Sequence, residues 1–209
     1  MSARVDAGFT RADFVAIVLS NGFVLALALW QRWPIAYLVW PYWFQSVLIG
    51  VFQIWRMLAL KNFSTEGFES NGRQVSETRA GLVSTAVFFA FHYGFFHFIY
   101  LGFLLEVTPA RGEWRWILIG ALAFAVSQAL GQPRRLAQDA AGRPNLGSMM
   151  FLPYLRIVPM HLTILLGLTR QTDAILLFGT LKTIADVLFA WAEARIAASE
   201  GLRNAAVER

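Results

Sequence analysis

Cysteine is absent from this chain. That excludes disulfides, thiolate nucleophiles and cysteine-ligated zinc. Histidine is nearly absent too, with three in 209 residues. Charge is scarce: Asp, Glu, Lys and Arg make up 15%, where a soluble domain carries about 25%. The HExxH, GxSxG and GxxxxGK[ST] patterns are also missing, so no metalloprotease helix, nucleophile elbow or phosphate loop can be read from motifs. What fills the space is oil. Hydrophobic residues reach 57% and the mean hydropathy is +0.51. A soluble domain of this length needs a core, but not apolar runs long enough to cross a bilayer.

Such runs are present. A helix needs roughly 20 apolar residues to cross about 30 Å of hydrocarbon. Six segments qualify, near 14–30, 35–60, 80–105, 115–131, 149–169 and 174–192. The reading is an all-α, polytopic transmembrane helical bundle of about six spans, forming a single domain over 1–209. Pro41 near the start of the long second span predicts a bend. Residues 61–79 and 132–148, mixed in charge and rich in Gly, Ser and Pro, predict solvated loops. The short remaining connections predict antiparallel hairpins between spans 1 and 2 and between spans 5 and 6.

The net charge of +5 does not point to nucleic acid, because Lys and Arg cluster at the ends of apolar runs, where topology places them. Twelve fall on the side holding the N-terminus, the 61–79 and 132–148 connections and the C-terminus; four fall on the other. The bias predicts both termini in the cytoplasm and a multi-pass protein of the inner (plasma) membrane, with the lipid bilayer as its partner. Trp30, Trp33, Trp114 and Trp116 mark the outer interface, and Trp55 and Trp191 the inner one. Ala26-Leu27-Ala28 has the shape of a signal-peptidase site; the apolar run continues to Trp30, and span 1 is expected to be retained.

An ionisable side chain in a span costs at least ~2.5 kcal/mol near its centre, so it marks function by default. Here there are six: His92, His97, Arg156, His161, Lys182 and Asp186, joined by the neutral Gln45. Estimated depths place His97, His161 and Lys182 in an upper layer, and His92, Arg156 and Asp186 in a lower one. Lys182 and Asp186, at i and i+4, share a helix face. His92 and His97 are i and i+5, which turns them about 140° apart on a regular helix. Both reach one ion only if a π-bulge widens the helix, and Gly94 would tolerate one. Pro159, between Arg156 and His161, predicts irregularity in span 5. The aromatic run around the histidines (Phe88, Phe89, Phe91, Phe95, Phe96, Phe98) reads as packing and lipid contact.

Three functions fit these residues. In the first, the seven polar residues line a pocket for an anionic small molecule, a lipid headgroup or a relayed proton. Arg156 and Lys182 outnumber Asp186, and a buried uncompensated charge is costly. In the second, His92, His97, His161 and Asp186 supply ligands for a divalent metal such as zinc in an intramembrane hydrolase; the two cations oppose this. In the third, the cluster only specifies packing in a structural or assembly subunit of a membrane complex.

Four stretches carry a resemblance: WPYWFQSVLIG (40–50), FHYGFFHFIY (91–100), LPYLRIVPMHLTILLG (152–167) and LLFGTLKTIAD (176–186). Together they resemble a family of small, uncharacterised prokaryotic integral membrane proteins, in which Trp-x-Glu, His-Tyr-Gly, Arg-x-x-x-x-His and Lys-x-x-x-Asp segments recur in that order. Gln45 stands near where that family carries Glu, which weakens an acid role for span 2. The resemblance implies one shared site at the seven residues and supplies no activity.

Overall fold

The computed structural model describes residues 9–107, 114–166 and 171–207. Arg4, Arg111, Arg170 and Arg209, which enter the charge count, lie outside them. Helices dominate: α1 (Arg11–Trp30), α2 (Ala36–Ala59), α3 (Arg79–Val107), α4 (Trp114–Ala141), α5 (Leu146–Phe151), a 3-10 segment (Leu152–Arg156), α6 (Ile157–Leu165) and α7 (Gln171–Val207). Five stretches are long and apolar enough to cross a bilayer: Arg11–Trp30, Arg79–Glu106, Trp114–Ala141, Leu146–Leu165 and Thr172–Ile196. The chain is a multi-pass helical membrane protein.

The helix α2 has the length for a sixth span, but its Trp, Tyr, Pro and Gln residues lower its hydropathy. It is the central helix, packed against α3, α4, α5 and the 3-10 segment. Trp40, Tyr42 and Met57 of α2 are buried with Leu82 and Phe89 of α3, Ile117 of α4 and Leu146 of α5. In lipid, helices associate by close packing and interhelical hydrogen bonds, because the lipid tails are as apolar as the side chains. Gly50 shows this closeness: a Cβ there would lie 2.5 Å from the Tyr93 ring. The outward faces keep their oil, with Phe23, Phe91, Phe98 and Leu130 all exposed. Phe89 alone of the α3 aromatic run is fully buried.

The start of α1 is set by a capping box. The Asp13 backbone N–H donates to Thr10 Oγ1 (3.2 Å), and the Thr10 backbone N–H donates back to the Asp13 carboxylate (2.9 Å). Its end is a Schellman turn, with the Trp33 N–H on the Ala28 carbonyl (2.9 Å) and Arg32 in the left-handed region at φ 52°.

Several boundaries differ from the sequence reading. The α4 helix does not stop at 131 but runs through Pro133 to Ala141. Its 28 residues span about 42 Å, more than the hydrocarbon thickness, so its last turns stand beyond the bilayer. The predicted 132–148 loop shrinks to residues 142–145. Residues 61–79 are not an open loop either. They hold a two-stranded hairpin, Glu69–Ser70 paired with Arg73–Gln74, and bury Phe63, Thr65 and Phe68. This cap is pinned to the α4–α5 corner by Ser64 N–H on the Pro144 carbonyl (3.0 Å) and Leu146 N–H on the Ser64 carbonyl (2.8 Å). Glu77 accepts the Thr65 backbone N–H and pairs with Arg143, and both hold its carboxyl below the usual carboxylate range.

The fifth span breaks earlier than Pro159 suggested. The 3-10 segment runs from Leu152 to Arg156 with Pro153 in its first turn, and Pro159 falls in the first turn of α6, where a missing N–H costs little. The predicted end of this span at 169 lies outside the described residues. The α6 and α7 helices pack together, as the hairpin reading expected. The other expected hairpin does not form as a close pair: α1 packs against α7. Gly179 sits so near Leu25 that a Cβ would lie 2.8 Å from its Cδ1. Between α1 and α2 lie two cavities.

Candidate functional site

On α7, residues 178, 182, 186, 189 and 193 recur every three or four positions and therefore share one face. Two of them are charged partners. Lys182 Nζ donates to Asp186 Oδ2 at 2.6 Å. It also donates to Asn21 Oδ1 of α1 at 2.8 Å, and Asn21 Nδ2 donates to the same Asp186 oxygen at 3.0 Å. Arg156 approaches from the 3-10 segment, its Nη1 3.6 Å from Asp186 Oδ1. That is an ion-pair distance, beyond a hydrogen bond. Its guanidinium lies over the Phe189 ring, 4.6 Å from the centroid. The Arg156 Nε is shielded from solvent and has no hydrogen-bond partner among the described residues. Two cations thus share one carboxylate, with side chains 16–27% exposed.

A cavity of about 280 Å³ lies between α1, α2 and α7, with Lys182 at its wall. Asn21, Tyr42 and Gln45 line it too, and Phe178, Trp33 and Leu25 supply apolar wall. Tyr42 ties the site to the broken span by donating to the Arg156 carbonyl at 2.7 Å. A second cavity of about 850 Å³ lies further along α7, towards the 60–78 cap, and Phe189 lines it.

The seven predicted residues divide into two groups. Arg156, Lys182 and Asp186 meet, and Gln45 lines the smaller cavity with Lys182. The three histidines do not. His97 is buried against α2: its Nδ1 donates to the Tyr93 carbonyl (2.8 Å) and its Nε2 meets Ser46 Oγ (2.9 Å). Tyr93 Oη donates to the Ser46 carbonyl (3.0 Å). His92 lies on the exposed flank of α3, with its Nδ1 2.8 Å from Tyr154 Oη and Phe88 stacked on its ring. His161 meets Tyr100 Oη through its Nδ1 at 2.9 Å.

The α3 helix runs through 92–97 without a π-bulge, so the 140° divergence stands and the two histidines face different neighbours. Arg156 and His161 diverge likewise, one towards α7 and the other towards α3. The expected metal set of His92, His97, His161 and Asp186 is therefore not assembled. Among the described residues, no three His, Asp or Glu side chains are placed to hold a metal ion. Each imidazole instead has a tyrosine or serine partner, as interhelical polar contacts in a membrane do.

Sequence reasoning missed Asn21, which bridges Lys182 and Asp186. An amide in the middle of an apolar span was the available signal. It also missed Arg56 and Asp139, a bidentate pair at 2.8 and 2.9 Å with side chains 18% and 10% exposed. Asp139 had been assigned to a loop, and only the extension of α4 carries it to α2.

The chain belongs to the family of unknown function DUF6498, whose family model matches residues 4–202. No curated protein and no solved structure matches it.

Proposed function

We propose that this member of a family without an assigned activity is an integral membrane carrier or sensor. Its pocket, lined by Asn21, Tyr42, Gln45 and Lys182, with Asp186 paired to Lys182 and Arg156 to Asp186, takes a small anion. The observation that carries the proposal is the charge count beside the cavity: Arg156 and Lys182 face Asp186 alone. A partly buried surplus cation is costly, and an anion in the adjoining 280 Å³ space relieves it. Lys182 has three N–H donors, of which Asn21 and Asp186 take two; one remains for a ligand. Asn21, Tyr42 and Gln45 offer neutral polar groups around it, which suits a carboxylate- or phosphate-sized ion. The charge bias of the loops supports a reading in which the 60–78 side faces the cytoplasm and the protein sits in the inner membrane.

The test is thermal unfolding of purified protein in detergent, with phosphate, sulfate or a short-chain carboxylate added. A ligand at 100 times its Kd stabilises by about 2.7 kcal/mol. One of these anions is expected to raise the melting temperature of wild type, and the shift should vanish in Lys182→Met and in Arg156→Gln. A wild type indifferent to all three anions, or variants that respond as wild type does, overturns the reading. Uptake of the stabilising anion into proteoliposomes then separates a carrier from a sensor.

A further inference from the structure

The larger cavity, about 850 Å³, is three times the volume of the first and is chemically different. It lies between the first turns of α1, the second half of α2, the end of α4, α5, the start of the 3-10 segment and residues 189–196 of α7. Five charged side chains line it: Asp13, Arg56, Arg135, Asp139 and Glu193. Three of these are committed. Arg56 and Asp139 hold each other in a two-bond fork, and Asp13 is engaged by Thr10 at the α1 cap.

The other two are not. Arg135 uses Nη1 on the neutral Gln128 Oε1 (2.6 Å), and among the described residues no carboxylate lies within ion-pair distance of it. Glu193 makes no hydrogen bond or ion pair with any described residue. Arg135 and Glu193 therefore line the same cavity and attract each other across it without touching. The rest of the wall is largely apolar, from Ile17, Ile49, Met149, Leu152 and Phe189.

A monovalent ion contacts only one of these two charges. A molecule with both an anionic group and an ammonium satisfies both, the guanidinium taking phosphate oxygens as a planar fork and the carboxylate taking the ammonium. An apolar wall beside a charge pair suits a ligand with a hydrocarbon tail. The α1 wall stands at the edge of the bundle, with its Leu19 and Phe23 exposed outwards. Its packing is on α7, and the cavity lies between it and α2.

We infer that this cavity is a second binding site, for the headgroup of a zwitterionic amino-phospholipid, with its phosphate on Arg135 and its ammonium on Glu193. The site is separate from the anion pocket and does not depend on it.

The test is native mass spectrometry of the full-length protein from detergent, with ethanolamine phospholipid and glycerol phospholipid of the same acyl chains offered in competition. The wild type is expected to retain the ethanolamine lipid in preference. A charged hydrogen bond lost from the site corresponds to about tenfold or more in affinity, so Glu193→Gln should erase the preference. Arg135→Gln should weaken both lipids together. Ala16→Trp, which fills the cavity from the α1 side without touching a charge, should lower binding of both and serves where a charge variant fails to fold. Free phosphoethanolamine at millimolar concentration should not displace the lipid; if it does so readily, the ligand is a soluble zwitterion and the lipid assignment is wrong. Equal retention of the two lipids by wild type, or an unchanged preference in Glu193→Gln, also overturns the proposal.

Discussion

Asp186 has two cations and an amide around it. Removing its charge leaves Lys182 and Arg156 facing each other across a half-buried site, the situation in which loss of one partner costs most. For a fully buried pair that cost is about 3–5 kcal/mol; here, with 16% of the Asp186 side chain exposed, solvent screening reduces it to about 2 kcal/mol. Asp186→Asn is therefore expected to lower the melting temperature in detergent. Adding Lys182→Met should recover part of the loss, because the second change removes the charge the first left unpaired. A double variant no more stable than Asp186→Asn alone would show that like-charge strain is not what the carboxylate relieves. At this scale the sequence was informative where spacing is local. Lys182 and Asp186 pair as i and i+4. Asn21, 161 positions from Lys182, has no local signal that names its partner.

Helix ends decided much of what the elements do. The α5 helix has six residues, too few to be stable alone, and it depends on its cap. Asn145 Oδ1 accepts the Ser148 N–H at 2.9 Å while its Nδ2 donates to the Glu66 carbonyl at 2.9 Å. One side chain thus starts the fifth span and anchors the 60–78 cap. Asn145→Ala is expected to cost about 1–2 kcal/mol, the upper range for a lost N-cap. Faster amide exchange should appear in residues 64–68 and 145–149 together, read by hydrogen–deuterium exchange. Loosening of α5 with the cap unchanged would mean that the two are not coupled through this residue. The break at Pro153 was not legible, because two prolines stand in the span and only packing decides which one the backbone bends around. The extension of α4 past Pro133 was missed for a related reason. Polar residues such as Arg135 and Asp139 look like loop in one dimension, yet they face a cavity and an ion pair when the helix continues.

Over the whole molecule, the charge bias predicts a cytoplasmic 60–78 cap, and the absence of cysteine makes this directly testable. Single cysteines at exposed positions, Ser70→Cys in the hairpin and Gln31→Cys beyond α1, report the two faces without background. In intact cells a membrane-impermeant maleimide is expected to label Gln31→Cys and to spare Ser70→Cys until the membrane is opened. The reverse pattern would invert the topology and place the larger cavity on the outer side. The same architecture sets α1 apart. It is held by α7, while two cavities separate it from α2, so both proposed sites share α1 as a wall. Neither could be anticipated by pairing consecutive spans.

Composition and run length by themselves determined that this is a helical membrane protein with few, unusual polar residues at depth. The reason is that crossing lipid demands length and oil in every segment separately. The local pairing of Lys182 with Asp186 followed from helix periodicity alone. Which helix lies beside which, and so which polar groups meet, was decided only by tertiary packing. The rotation of each helix about its axis is set by contacts such as Leu25 on Gly179 and Tyr93 on Gly50. That rotation turned the histidines towards tyrosines and serine, and Arg156 towards Asp186.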